Sequence, residues 1–444
     1  MLTRQVVKLW RSYPRILKNC ENRDKSCVRN QTINLLKRNY SSDVVVIGGG
    51  AMGASVAYWL KDKTVGSKKD LRVVVIEKDP TYSCCSTSLS VGGIRQQFSV
   101  PENIQMSLFG ASFIKNIKSK FGPEADISFM PNGYLILASE NGAQRLSNNF
   151  KLQQQLGATN RLFTKQQLKK RFAWLNVDDI ELGCCGGENE GWFDPWGLLS
   201  LLRSGASSKG AEFIQGEAVD FVFGANGELR GVVVKLPNNE QKTISFEHCV
   251  ITAGAESGKI AKLARIGSDD LSTPLPVEKR KRYVYRFDSQ GDNPPEINSP
   301  LMIDYTGVYF RRDGGSYIGG LSPKPEEEPE TNNLDVDFDF FDNRVWPLLA
   351  HRIPAFQSVK VKSAWGGFYE YNCFDANGVI GPHPGHSNLY FATGFSGHGI
   401  QQSPAAGLAI AELIVDGAFK TIDLTRMGFD RLITHKPLYE IGIY

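Results

Sequence analysis

The chain has 444 residues, 41% hydrophobic and 22% charged, an ordinary balance for a globular protein with ample core. No apolar run approaches the ~18 residues a membrane helix needs, which leaves peripheral membrane association at most. The net charge of +4 is unevenly spread: residues 1–41 carry ten Lys or Arg against two acids, leaving 41 basic and 45 acidic residues for the remainder. A body of that sign argues against nucleic acid as a partner.

At the N-terminus, Arg4, Lys8, Arg11, Arg15 and Lys18 follow 4-3-4-3 spacing along one helical stripe, with Val6, Trp10, Tyr13 and Leu17 on another. An Arg-rich, acid-poor amphipathic leader is the mitochondrial transit pattern, and Arg38-Asn39-Tyr40-Ser41 resembles a matrix-processing site. Residues 1–41 are therefore expected to be a transit segment that delivers the protein to the matrix side of the inner membrane. Pro14 interrupts the helix, and a disordered basic tail is the alternative. The eight cysteines include the neighbours Cys84-Cys85 and Cys184-Cys185 but neither C-x-x-C spacing nor a His/Cys cluster. No metal site and no disulfide framework is expected.

The run Asp43–Ile47 has the β-branched character of a buried parallel strand. It leads into Gly48-Gly49-Gly50-Ala51-Met52-Gly53, which satisfies G-x-G-x-x-G, and a helix is predicted over Ala51–Lys61. A second strand, Leu71–Ile76, ends at Glu77-Lys78, with Glu77 24 residues past the third glycine. Each part has a mechanical role in dinucleotide binding: Gly48 for the tight turn, Gly50 for approach to a pyrophosphate, Gly53 for close helix packing. The helix start attracts phosphate, and Met52 lies in its first turn. A carboxylate at Glu77 accepts ribose hydroxyls and repels a 2′-phosphate. FAD and NAD both remain open on these residues.

A second glycine turn decides between them. Asn388–Thr393 reads as a strand, followed by Gly394, Phe395, Ser396, Gly397, His398, Gly399, Ile400 and Gln401. A helix is predicted over Pro404–Asp416 with Ser403 as N-cap. Backbone N–H groups at such a start suit the negative charge of a reduced flavin around N1 and C2=O. A third element, Cys249–Ala255, is a strand followed by small residues, placing Ala253 and Gly254 as another close backbone approach.

With these three elements in place, the chain resembles the D-amino-acid oxidase, sarcosine oxidase and dimethylglycine dehydrogenase family of FAD enzymes over residues 43–417. The stretches "FYEYNCFDANGVIGPH" (Phe368–His383), "GFSGHGIQQSPAAGLAIAELI" (Gly394–Ile414) and "TIDLTRMGF" (Thr421–Phe429) are similar to mitochondrial members that serve complex I assembly. The resemblance implies an α/β fold: a Rossmann-type FAD-binding domain interleaved with an antiparallel-sheet α+β substrate domain. The FAD lobe is expected over 42–125, 185–255 and 360–420, the substrate or cap lobe over 126–184 and 256–359, and a C-terminal tail over 421–444. Tyr134–Ala138, Lys281–Phe287, Val308–Arg311 and Tyr317–Gly320 are its predicted cap strands. Asp194-Pro195 is expected to open a helix over Trp196–Lys209, followed by a strand over Gly210–Phe223 with Val219 against the adenine.

The resemblance also assigns chemistry. Ser86, Thr87 and Ser88 are candidate cofactor contacts, and the segment Ser88–Arg95 lies where relatives keep residues against the isoalloxazine. Relatives attach FAD covalently through a histidine matching Ser90 or a cysteine near Phe368, so FAD is expected to be non-covalent here, with Cys373 the nearest thiol. Arg95 matches an arginine that holds substrate carboxylate in sarcosine oxidase, whereas Gln401 replaces its lysine partner. Tyr317 is aligned with an oxygen-activating lysine, which favours a dehydrogenase over an oxidase. Arg95 and His398 are the candidate catalytic residues, and His398 has turn-shaping as its rival role. The run Lys279–Arg282 is expected to be surface rather than site, with room for one member to point inward beside Tyr283 and Tyr285. Ser322–Asn333 is read as an exposed acidic loop, plain solvated surface before partner site. Expected partners are complex I subunits or assembly intermediates and a small amine substrate. An amine or N-methyl amino-acid dehydrogenase, or a flavin-stabilised binding protein, are the alternative functions.

Overall fold

The computed structural model describes residues 40–268 and 271–442. The predicted transit helix lies outside the described residues. Tyr40 and Ser41, which the transit reading assigns to the removed segment, instead begin the first strand, Tyr40–Ile47, opposite Ile244 and Ser245. Tyr40 is buried there, its hydroxyl bonded to Glu212 and its ring 4.3 Å from the Arg72 guanidinium.

That strand is buried on both faces, and its alternation separates two cores. Val44 and Val46 join one apolar cluster with the helices, Val45 and Ile47 the other. Val44, Val45 and Val46 are each 0% exposed, worth about 1.5 kcal/mol apiece. It pairs in parallel with Gln241–Ile251 on one side and Val73–Glu77 on the other. The sheet continues outward to His386–Thr393 and Val379–His383 at one edge and Glu212–Gln215 at the other. An antiparallel hairpin, Glu217–Phe223 with Leu229–Lys235, is added to Gln241–Ile251. Ala51–Thr64 crosses the C-terminal helix Gly399–Asp416 so closely that a Cβ on Gly407 would lie 2.7 Å from the Ser55 carbonyl carbon. The Asp194-Pro195 reading holds: the Asp194 carboxylate accepts from Trp196 N–H at 3.0 Å, opening Pro195–Ser208.

A second eight-stranded sheet runs in the order Val359–Asn372, Val277–Ser289, Ser316–Gly320, Tyr309–Asp313, Leu301–Ile303, Tyr134–Ala138, Leu182–Gly186, Arg161–Thr164. It is mainly antiparallel, with one parallel junction at Leu301–Ile303 and Tyr134–Ala138. Val359–Asn372 pairs along its length with Val277–Ser289, so the chain leaves this sheet only after Asn372, later than the expected lobe boundary at 360. Cys185 and Gly186 likewise belong to it.

Residues beyond 420 are tied down. Asp375 receives Arg431 Nε at 2.7 Å and Nη2 at 3.1 Å. Near the end of the described chain, the Glu440 carboxylate accepts from Ser99 N–H and hydroxyl, both 2.7 Å, and from Asn103 Nδ2. It thereby caps the start of helix Pro101–Lys115. Asn103 in turn accepts from Gln402 in the C-terminal helix at 3.1 Å.

Candidate functional site

Residues 48–53 and 394–401, far apart in sequence, meet on one cavity of about 760 Å3. At its first end the strand Tyr40–Ile47 delivers Gly48 with φ +102°, and a Cβ there would sit 2.5 Å from Thr252 O. A Cβ on Gly53 would lie 1.8 Å from Gly48 O and 2.7 Å from Thr252 Oγ1, so Gly53 lies beneath the turn rather than lining the cavity. Gly50 differs. Its nearest protein neighbour would be 3.4 Å away, and its bare face lines the cavity, where a ligand's approach is what a side chain would block. Thr252 Oγ1 ties the third segment to this turn by donating to Gly48 O at 2.8 Å.

Along the same wall lie Met52, Glu77, Lys78, Ser86, Thr87, Ala253 and Gly254. Glu77 accepts from Gly49 N–H and Asp79 N–H, both at 2.8 Å, and burial raises its pKa. Thr87 Oγ1 accepts from Ala51 N–H at 3.1 Å, and Ser86 Oγ donates to Phe368 O at 2.5 Å. Ser88 does not face the cavity; its hydroxyl bonds Tyr82 O at 2.5 Å and Cys85 O at 3.0 Å. Val219 is also outside the lining, which Gly216, Glu217 and Ala218 provide instead. The predicted single strand breaks at Gly216 into two, and that break presents backbone to the cavity.

At the other end, Gly394, Ser396 and Gly397 have φ of +80°, +49° and +93°. Three left-handed residues in four curl the main chain into a concave turn of the kind whose N–H groups receive anions. Gly394 and Phe395 form its back, Phe395 being 2% exposed, while Ser396, Gly397, His398, Gly399, Ile400 and Gln401 face the cavity. The helix starts at Gly399, not Pro404. Pro404 leaves the Ile400 carbonyl without its helical donor, and the Ser403 hydroxyl supplies one at 2.9 Å. Ser403 therefore repairs the helix interior rather than capping its start, and the positive end of the helix lies on the cavity itself.

Glu370 organises this turn. Its carboxylate accepts from Thr393 Oγ1 at 2.7 Å and from the N–H groups of Gly394 and Phe395, while its own carbonyl accepts from Ser396 N–H at 2.9 Å. Sequence reasoning missed it, although it lies inside a quoted motif; an acid between two tyrosines gave no spacing signal. The neighbouring Asn372, Asp375 and Asn377 form a hydrogen-bonded cluster, so this motif encodes structure as much as site.

Arg95 and His398 are brought together. Arg95 Nη2 lies 3.2 Å from His398 Nε2, and the guanidinium is 4.5 Å over the Phe98 ring. Burial and then the Arg95 charge push His398 down to about 3, so the imidazole is neutral; its Nε2 accepts from arginine and Nδ1 carries the proton. Arg95 is 7% exposed, with Nε near Gln97 O at 3.4 Å and its main-chain N–H on Gln401 Oε1 at 2.8 Å. Behind it, Glu190 is 1% exposed and accepts from Gln96 N–H at 2.6 Å and Gln97 Nε2 at 2.8 Å.

Burial pushes the Glu190 carboxyl up to about 7. The folded protein therefore binds this proton more tightly than the unfolded chain, a stabilisation present below about pH 4.5 and lost as pH rises through 7. The difference is about 3 kcal/mol. In urea titrations between pH 4.5 and 8.5, wild-type stability is expected to fall with pH through this group, while Glu190→Gln flattens that part of the curve. Equal slopes for the two proteins would contradict it.

Other expectations are corrected. Tyr317 is 2% exposed in the core of the second sheet, its hydroxyl donating to Pro295 O at 2.7 Å, so its alignment says nothing about oxygen. Of the basic run, two members, Lys279 and Arg282, line the cavity where one at most was expected to turn inward. The acidic loop is partly pinned: Glu328 grips Arg282 and Glu327 pairs with Arg344. Cys373 lies outside the lining, with Sγ on Pro276 O, while Ser90 and Phe368 do line it. Among the described residues no group of side chains forms a metal site, and no helix is long and apolar enough to cross a membrane.

A cavity with a glycine turn and helix start at each end fits FAD: Gly50 leaves room beside the first turn, Glu77 stands at the ribose position, and Gly397 with the helix start at Gly399–Gln401 lines the ring end. A family model for FAD dependent oxidoreductases matches residues 43–413. This chain belongs to that family. It is 50% identical to FAD-dependent oxidoreductase domain-containing protein 1 of Xenopus laevis, covering 90% of this chain and 85% of that protein. Mouse mitochondrial sarcosine dehydrogenase is 24% identical over 85% of this chain and 40% of its own length. Among solved structures, L-proline dehydrogenase from P. horikoshii superposes with a TM-score of 0.77 at 26% identity, covering 90% of this chain and all of that one. FAD supplies two-electron acceptance when bound; the glycine turn at Gly48–Met52 with Glu77 would hold its diphosphate and ribose, and the turn at Ser396–Gln401 would meet its rings.

Proposed function

We propose that this chain is a mitochondrial flavoprotein that supports assembly of respiratory complex I, with a flavin competent to oxidise a small amine and pass the electrons to an acceptor. The observation that carries the redox part is the convergence of residues 48–53 and 394–401 on one cavity. The assembly role is supported by the motif resemblance at Phe368–His383, Gly394–Ile414 and Thr421–Phe429, and by half-identity to a relative across most of both chains. The matrix location is supported by the basic N-terminal pattern and by a mitochondrial relative.

Cells lacking the protein are expected to lose assembled complex I and its activity, and re-expression of the wild type restores both. Unchanged complex I on native gels from such cells would end this reading. A second reading, a metabolic amine dehydrogenase without assembly duty, is favoured by Arg95, buried and lining the cavity beside His398, and is separated by that same outcome.

Non-covalent attachment is tested by acid precipitation of the purified holoprotein. Yellow colour is expected in the supernatant, because Ser90 and Phe368 offer no nucleophile of the required kind at the two attachment positions. Colour in the pellet would contradict it.

A further inference from the structure

The cations lining the ring end of the cavity are Arg95, Lys279 and Arg282, and the chain itself engages each of them. Arg95 is committed to His398 and Gln97 and stacked on Phe98. Lys279 pairs with Glu256 at 2.5 Å. Arg282 is held in a two-point fork by Glu328, with Nη1 and Nη2 each 2.8 Å from a carboxylate oxygen, and Nη2 also donates to the Tyr369 hydroxyl at 2.8 Å. A two-point carboxylate grip is the geometry an arginine offers to an acidic ligand, and here a side chain of the chain occupies it. The position matching the family's second carboxylate anchor is Gln401, whose oxygen accepts the Arg95 main-chain N–H. Tyr134, Tyr309, Leu301, Ile303 and Leu321 give the chamber an aromatic and apolar side, and Thr306, Ser322 and Glu370 add neutral or acidic groups but no further cation.

We propose that this chamber selects amines bearing no carboxylate, with Glu328 the specificity-determining residue that keeps Arg282 from acidic ligands. The inference rests on the flavoprotein reading above. A substrate carboxylate would have to displace Glu328 from Arg282 or sit desolvated among tyrosines, and both cost free energy. An amine meets aromatic faces, which attract ammonium groups. In the reaction so defined, the bound ammonium first releases its proton to solvent, the carbon beside the neutral nitrogen gives up hydride, the nitrogen lone pair closes a C=N bond, and the iminium product leaves. FAD is the two-electron acceptor.

The test uses the FAD-loaded full chain and two ligands that differ only by a carboxylate on the reacting carbon, N-methylbenzylamine and N-methylphenylglycine. Binding is measured anaerobically by calorimetry and by the shift of the flavin absorbance band. The wild type is expected to bind the amine at least about tenfold more tightly. Glu328→Gln uncovers Arg282 and raises affinity for N-methylphenylglycine, and for benzoate as an unreactive anion, by about tenfold or more. The double variant Glu328→Gln/Arg282→Met loses that gain. Equal or tighter wild-type binding of the amino acid overturns the proposal, as does failure of both ligands to bind the yellow holoprotein. Should Glu328→Gln fail to fold, the wild-type comparison decides alone. A protein that takes up no FAD fails earlier, at loading, and refutes the flavoprotein reading instead.

Discussion

Gly53→Ala protein is expected to purify colourless and to be destabilised by about 3 kcal/mol or more. The added Cβ would lie 1.8 Å from Gly48 O and 2.7 Å from Thr252 Oγ1. Neither obstacle is the end of a flexible side chain. One is the backbone of the phosphate-binding turn, and the other is a hydroxyl already donating to Ile47 O and Gly48 O. Relief requires the helix Ala51–Thr64 to back away from the turn, moving the N–H groups that would receive the diphosphate. Flavin absorbance after purification and urea denaturation of the apoprotein read the two consequences separately. Gly50→Ala is the informative companion: its Cβ would clear protein atoms by 3.4 Å, so the fold is expected to survive while FAD affinity falls. Retention of a full complement of flavin by Gly53→Ala would show that this crowding is relieved cheaply.

The second large effect is expected at Glu370. In Glu370→Ala the N–H groups of Gly394 and Phe395 lose their acceptor, and the Thr393 hydroxyl keeps only Ser257. Unsatisfied buried donors cost about 1–3 kcal/mol each, so the turn is expected to loosen and FAD affinity to drop by about 100-fold. Flavin fluorescence titration of the apoprotein measures this directly. Glu370→Gln has one acceptor oxygen left and is expected to fall between alanine and wild type. If alanine binds FAD as wild type does, the curled turn holds its shape without the carboxylate, and its role at the ring end must be reassigned.

The phosphate-binding end was legible because its signal is local. Strand, three spaced glycines, small-residue helix and terminal acid lie within 35 residues, and the structure places each at the expected corner. Asp194-Pro195 was legible for the same reason, since a cap and its donor are two residues apart. The C-terminal helix was misplaced because Ser403-Pro404 has the sequence of a helix start. Its true start depends on a hydroxyl repairing the carbonyl that proline orphans, which no pairwise rule anticipates. Glu190 and Glu370 were missed as site residues, and Arg282 was not singled out within its basic run, because their partners lie across the chain. Glu190 serves Gln96 and Gln97, and Arg282 meets Glu328 and Tyr369 from separate segments. Tyr317 shows the converse error. A residue-by-residue match to relatives put it beside the flavin, whereas strand register buries it under the cap sheet.

The two grips on the cofactor are separated by about 340 residues of polypeptide, and the second is completed only at Gln401. A nascent chain therefore has the first glycine turn early in synthesis and nothing with which to close over the rings until Gln401 has emerged from the ribosome. FAD can be kept only once both turns have been made. Scarcity of riboflavin should then appear as full-length protein waiting empty, open to proteolysis, rather than as truncated products.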